Sequence, residues 1–195
     1  MIVLVRHGET DANRAGLLLG RANPPLNDRG RQQAATLADA LASIAKPLIV
    51  TSPLSRALET ATRIGEVVGI APRIDDRLIE LDYGDWDGRR ISDVPAEMGD
   101  RWRADPTFAP PGGESLSDLR ARVEPLATEL YEQAEEHTTI AVSHVSPIKA
   151  VILWGLALGD EYSWRLRLDV ASISRLGHGP SGPVLVGFND TSHRR

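Results

Sequence analysis

Ile2-Val3-Leu4-Val5-Arg6-His7-Gly8-Glu9-Thr10-Asp11-Ala12-Asn13 decides how the rest of the chain is read. A short β-branched apolar run passes at once into polar residues, the pattern of a strand that ends in a functional loop. Two more runs repeat it. Leu48-Ile49-Val50 leads into Thr51-Ser52-Pro53-Leu54-Ser55-Arg56, and Ile140-Ala141-Val142 leads into Ser143-His144-Val145. Between the first two, Asp28–Ile44 places Ala34, Leu37, Ala38, Leu41 and Ile44 at helical spacing, with Asn27 or Asp28 as N-cap. A βαβ unit follows, and with it an α/β fold whose parallel strands carry ligands at their carboxyl ends.

Further out, Pro53–Val68 carries one apolar stripe from Leu54 to Val68, with Gly69 as the stop. After the turn Pro110-Pro111-Gly112-Gly113, Ser115 to Asp118 has capping-box spacing and opens a third helix, in which Pro125 predicts a kink. A fourth helix is expected from about Pro147 to Leu158. Asp169–Leu176 and Val184–Phe188 read as strands joined by a Gly/Pro turn, and Ser192–Arg195 reads as a frayed tail. The segment from about 75 to 112 has weak periodicity, with Tyr83, Trp86 and Trp102 scattered through it. It is expected to be an excursion over the active-site edge of a single domain spanning residues 1–195.

Composition narrows the chemistry. The 195 residues suit one core. The absence of cysteine excludes disulfide scaffolds, cysteine metal ligands and cysteine nucleophiles. With 22 basic against 27 acidic residues the net charge is −5, which argues against general nucleic-acid affinity. The longest apolar run, Ala150–Leu158, is about half of what a bilayer crossing needs. The expectation is a soluble cytoplasmic protein with neither nucleic-acid nor membrane partner, its oligomeric state open and a homodimer among the options. Gly177–Gly182 fits the letters of a dinucleotide fingerprint but opens no helix, so it reads as a hairpin turn with His178 exposed.

The three strand ends bring together His7, His144, Arg6 and Arg56. That combination suits a phosphoryl group, whose oxygens match guanidinium forks in charge-assisted bonds of about 1.5–3 kcal/mol each. A neutral imidazole can attack phosphorus through one nitrogen while the other is held by a hydrogen bond. The spacing argues against a metal site. His-Glu-x-x-His is missing, no two histidines lie one helical turn apart, and the arginines beside His7 repel a cation. No metal and no cofactor is expected.

Four separated elements together resemble the histidine phosphatase superfamily, the phosphoglycerate-mutase-like enzymes: Val5–Thr10 with Asn13, Thr51–Ala57 with Thr60-Ala61, Leu78-Ile79-Glu80 with Gly84, Trp86 and Gly88, and Val142-Ser143-His144. The resemblance implies a three-layer αβα sandwich with a mostly parallel central sheet. It further implies that His7 is the phosphorylated nucleophile, that Arg6, Arg56, His144 and Asn13 bind the phosphoryl oxygens, and that Glu80 donates the proton. Like charge and burial beside Tyr83 and Trp86 would favour the neutral, proton-donating form of Glu80; Asp82, Asp85 and Asp87 are its competitors. Thr10 and Arg21 join the substrate-binding candidates, Arg21 for a second anionic group. Gly113, Glu114 and Ser115 are explained by helix capping and count as peripheral.

Where members of the superfamily often have tryptophan and glycine, this chain has Ala12 and Val145. The latter brings a β-branched side chain close to the phosphate, with its backbone N–H still able to donate. The expected function is metal-independent hydrolysis of a small phosphorylated metabolite. The nearest rival is mutase-type phosphoryl transfer, for which 195 residues leave little material for a water-excluding lid. A non-catalytic phospho-ligand-binding module is the rival of another class.

Overall fold

The three apolar runs lie side by side in the computed structural model, which describes residues 1–194. They form β1 (Ile2–Arg6), β2 (Leu48–Thr51) and β4 (Thr139–Ser143), with a two-residue β3 (Arg73–Ile74) between the last two in the chain. The sheet order is β3-β2-β4-β1-β5-β6. The first four strands of that order run parallel, while β5 (Ile173–Gly179) and β6 (Gly182–Asp190) add an antiparallel hairpin at one edge.

The central strands are apolar throughout because both their faces are covered. Val3, Val5, Ile140 and Val142 pack with Leu37, Leu41, Ala57, Ala61 and Ile64 of helices α2 (Asp28–Leu41) and α3 (Ser55–Val68). On the opposite face Ile2, Leu4 and Ala141 meet Leu119, Val123, Leu126, Ile148, Val151 and Ile152 of α5 (Leu116–Gln133) and α6 (Val145–Gly155). This is the three-layer αβα sandwich with a mostly parallel sheet. Register does the rest: Arg6 pairs with Ser143 and Thr51 with Val142, so the chain leaves β1, β2 and β4 at one level.

Helix termini follow the sequence signals. Asn27 caps α2 through Gly30 N–H, Ser115 and Asp118 form a capping box at α5, and Gly69 ends α3 at φ 74°. Several expectations need correction. The helix α6 begins at Val145 and ends at Gly155 rather than spanning Pro147–Leu158, while α5 continues past Pro125 to Gln133. The tail does not fray over its described part. Ser192–Arg194 forms a 3-10 turn in which Arg194 donates to the Val170 carbonyl at 2.8 Å, while Arg195 lies outside the described residues.

The weakly periodic segment also holds more structure than its sequence shows. It contains three 3-10 turns and α4 (Ala96–Ala104), and its Trp86 and Trp102 are buried in the layer of α5 and α6. Short α1 (Asp11–Arg14) is equally hidden in the sequence. Gly177–Gly179 belongs to β5, so only Pro180 and Ser181 separate the hairpin strands, and His178, exposed, stacks on Tyr131 at 4.1 Å.

Candidate active site

His7 follows β1 with its backbone locked on both sides, its N–H donating to the Ser143 carbonyl at 3.0 Å and its carbonyl accepting from Ala171 N–H at 2.9 Å. Its ring Nδ1 lies 2.6 Å from the Gly8 carbonyl. A carbonyl only accepts, so Nδ1 carries the proton and Nε2 keeps a free lone pair. The loop behind it is tight. A methyl group on Gly8 would collide with the Gly30 carbonyl, and one on Gly30 with the backbone of Glu9, so glycine at both positions lets the loop seat against the first turn of α2.

His144 follows β4, and its ring centroid is 5.0 Å from that of His7. Arg56 Nε donates to its Nδ1 at 3.2 Å, which places the His144 proton on Nε2, facing Ser52 Oγ at 2.7 Å. Burial, followed by the positive charges nearby, holds both imidazoles well below the usual histidine range. Both are neutral in the fold. Once unfolded they would take up protons as the pH falls through about 6.5. The unfolded state therefore binds more protons below that pH, and stability is expected to drop as the pH falls from about 6.5 toward the depressed folded values. Denaturation midpoints measured between pH 8 and 5 check the sign; a midpoint that rises on acidification would contradict it.

The arginines divide the work. Arg6 Nη1 donates to the Leu168 carbonyl at 2.6 Å, and its buried Nε has no acceptor among the described residues. Arg56, fully buried, spends most of its donors on protein: Nη1 on the Ala22 carbonyl at 2.8 Å, Nη2 on the Gly20 and Leu19 carbonyls at 2.9 and 3.4 Å. The loop it grips is clamped from the other side by Asp87, whose two oxygens accept from Gly20 and Ala22 N–H at 2.9 Å. Asp87 thereby clamps this loop. Arg56 is a scaffold with one N–H to spare rather than the open fork expected of it.

Glu80, 3% exposed, sits on the N-terminus of α6. Its Oε1 accepts from Leu81 and Ser146 N–H at 2.7 and 3.2 Å, and Oε2 from Val145 N–H at 3.0 Å. Three backbone N–H groups at a helix N-terminus thus meet the Glu80 carboxyl, contacts that burial beside Tyr83 and Trp86 does not announce. The Val145 N–H expected near phosphate serves the acid instead, and because Val145 directly follows His144, acid and histidine share one stretch of backbone. Asp82 is engaged through Gly84 N–H at 2.9 Å.

Two substrate-binding candidates have other work. The Thr10 hydroxyl and the Asn13 amide oxygen are consumed by each other in the capping box of α1. The structure thus favours a local cap for Thr10, while the Asn13 amide nitrogen stays without a protein acceptor among the described residues. Arg21 rests loosely between Asp82 at 3.9 Å and Glu114 at 3.5 Å.

A model of the histidine phosphatase superfamily (branch 1) matches residues 2–191. The chain belongs to the histidine phosphatase superfamily. Among superfamily relatives, phosphoserine phosphatase 1 of Hydrogenobacter thermophilus is 32% identical over 196 residues, covering 98% of this chain and 93% of that one. A bifunctional protein of Mycobacterium tuberculosis is 36% identical over 179 residues, 89% of this chain. The chain spans about half the length of the first curated relatives it matches, 49% in that case. The solved structure of a mycobacterial glucosyl-3-phosphoglycerate phosphatase complexed with VO3 superposes with a TM-score of 0.87 at 33% identity, over 97% of this chain and 99% of that one.

Other residues around this site have no role assigned from the sequence. Ser52 stands in one of the four motifs without a role, yet it is the partner of His144. Glu114 is not peripheral: it accepts from Asp82 N–H at 3.3 Å and pairs bidentately with Arg122 at 2.7 and 3.0 Å. Arg122 in turn donates to the carbonyls of Arg77, Ile79 and Glu80 at 2.7, 2.8 and 3.2 Å, holding the segment that carries the acid. An arginine in a helix stripe gives no sequence sign of this. Replacing Arg122 by Met strands those acceptors and is expected to cost about 2–3 kcal/mol of stability and to lower kcat more than it raises KM. Urea unfolding at unchanged m-value, together with steady-state kinetics, checks both parts.

Proposed function

We propose that this chain is a metal-independent phosphatase that hydrolyses a small phosphorylated metabolite through a phosphohistidine at His7. The observation that carries the reading is the His7 ring, held by Gly8 as the neutral tautomer with Nε2 free, with the charges of Arg6 and Arg56 acting on it, the His144 ring 5.0 Å away, and Glu80 anchored on the helix that directly follows His144. Nε2 attacks phosphorus in line, the P–O bond to the leaving alcohol breaks, and Glu80 gives that oxygen its proton. Glu80, now a carboxylate, takes a proton from water, which attacks phosphorus; the N–P bond breaks and phosphate leaves.

Arg6, with a donor unspent, and the last N–H of Arg56 receive phosphoryl oxygens. His144 joins by turning its Nε2–H from Ser52 to an oxygen of the group, and Asn13 can add its amide. Arg21, loosely held, remains a candidate for a second anion. The phosphatase names of two of the relatives, and the VO3 bound in one of them, support the hydrolytic reading. The donor set supports the absence of a metal, since Nδ1 of each histidine is already hydrogen-bonded and the nearest cationic groups are arginines.

The test is phosphate release from a panel of phosphorylated sugars, glycerates, nucleotides and amino acids, with and without EDTA. Release that persists in chelator is expected. Strong loss restored by a divalent ion would overturn the metal-free mechanism, transfer to an added alcohol in place of water would favour the mutase, and binding without release would favour the module.

A further inference from the structure

A cavity of about 140 Å³ opens against the residues that hold Glu80, with Leu81, Tyr83, Val145 and Ser146 in its wall. Trp102 and Trp164 stand on another side, edge to face at 4.6 Å, and Trp164, 38% exposed, is open to solvent. A dry cavity of roughly 150 Å³ takes one benzene ring, so this space fits a single ring or its aliphatic equivalent.

One wall residue is out of keeping with the rest. Lys149, one turn along α6 from Val145, is half-buried; its ammonium donates to the Ser163 carbonyl at 2.9 Å and has no carboxylate in ion-pair range among the described residues. Burial lowers it to about 8, which leaves it charged at neutral pH. Two of its three N–H donors are unspent. Trp102, in the same cavity, has a buried indole N–H with no acceptor among the described residues. Glu80 is the anion that acts on Lys149 but lies beyond ion-pair range, so the two remaining ammonium donors are unmet, and an orphaned donor is costly. Both side chains line the cavity, and no Asp or Glu does.

We propose that this cavity receives the leaving group of the substrate and that Lys149, with Trp102, binds a carboxylate at its far end. The substrate class is then a phosphate monoester of a compact, ring-sized, apolar alcohol that carries a carboxylate. The proposal rests on the hydrolytic reading for its chemistry but not for its binding.

Two probes of equal shape separate the terms: para-carboxyphenyl phosphate and its uncharged analogue para-carbamoylphenyl phosphate. The kcat/KM ratio of the first to the second is expected to fall on the order of 10- to 100-fold in Lys149→Met, mainly through KM. Trp102→Phe, which keeps a ring and loses the N–H, is expected to lower the same ratio several-fold and serves if Lys149→Met does not fold. Calorimetric binding of both probes in a His7→Ala background reads the same preference without turnover. Lys149-dependent preference for the carboxylate in binding, with no phosphate release by the unmutated chain, would sink the hydrolytic reading and keep the cavity's role. An unchanged ratio in both variants, or equal weakening of both probes, would overturn the role of Lys149 whatever the turnover.

Discussion

His7→Ala is expected to abolish phosphate release, with a loss on the order of 10⁴–10⁶ in kcat/KM. The reason is covalent: of the two imidazoles at the strand ends, only that of His7 offers a free lone pair to phosphorus. His144 has Nδ1 filled by Arg56 and its proton on Nε2, and the Ser52 oxygen already accepts from His144 and from Leu54 N–H. The arginines and His144 stay in place, so the variant should still bind phosphate esters. The check is chemical. Substrate turned over briefly and quenched in alkali, where the N–P bond survives, should leave phosphoryl mass on the peptide bearing His7 and none on the alanine variant. Label on any other side chain would contradict the mechanism. The same substitution removes one of two buried neutral imidazoles, so it should also flatten the loss of stability below pH 6.5.

Glu80→Gln has the second largest expected effect, a loss of about 10²–10⁴ on alkyl phosphates and clearly less on aryl phosphates, whose leaving groups need little protonation. Glutamine keeps the size of the side chain but puts an NH₂ where one carboxylate oxygen stood. In the same position that group would face a backbone N–H of Leu81, Ser146 or Val145, leaving a buried donor unmet at about 1–3 kcal/mol. A stability loss is thus expected beside the kinetic one, and the alkyl-to-aryl comparison separates them, because misfolding lowers both activities alike. Equal losses on both ester types would move the acid role to another group.

Much of the fold is legible in the sequence because its information is local. Ile2–Val5, Leu48–Val50 and Ile140–Val142 announce strands by four or fewer side chains each, and the polar residues after them stand at the strand ends whatever the strand order. Helix starts at Asn27 and Ser115 are equally readable, since a cap is a contract between residues three apart. What stays dark depends on distant partners. Nothing near Arg56 in the sequence reveals that carbonyls at 19–22 occupy its guanidinium, nor does anything near Glu80 predict the N–H groups of residues 145 and 146. The stretch from 75 to 112 lacks periodicity because its order comes from Trp86 and Trp102 packing against one another and against α5, not from a repeating face. Arg122, which ties that stretch down, is for the same reason invisible to pattern.

Glu80 does not ride on a flexible loop; it is riveted to a helix whose other side is the hydrophobic interior. A carboxyl so anchored cannot travel toward esters of differing bulk, so under the proposed mechanism adaptation to a new alcohol falls to the surrounding panels, Trp164 above all. Directed evolution of substrate preference should accordingly collect its changes between residues 83 and 116 and near 164, leaving the proposed reacting residues His7, His144, Arg6 and Glu80 untouched.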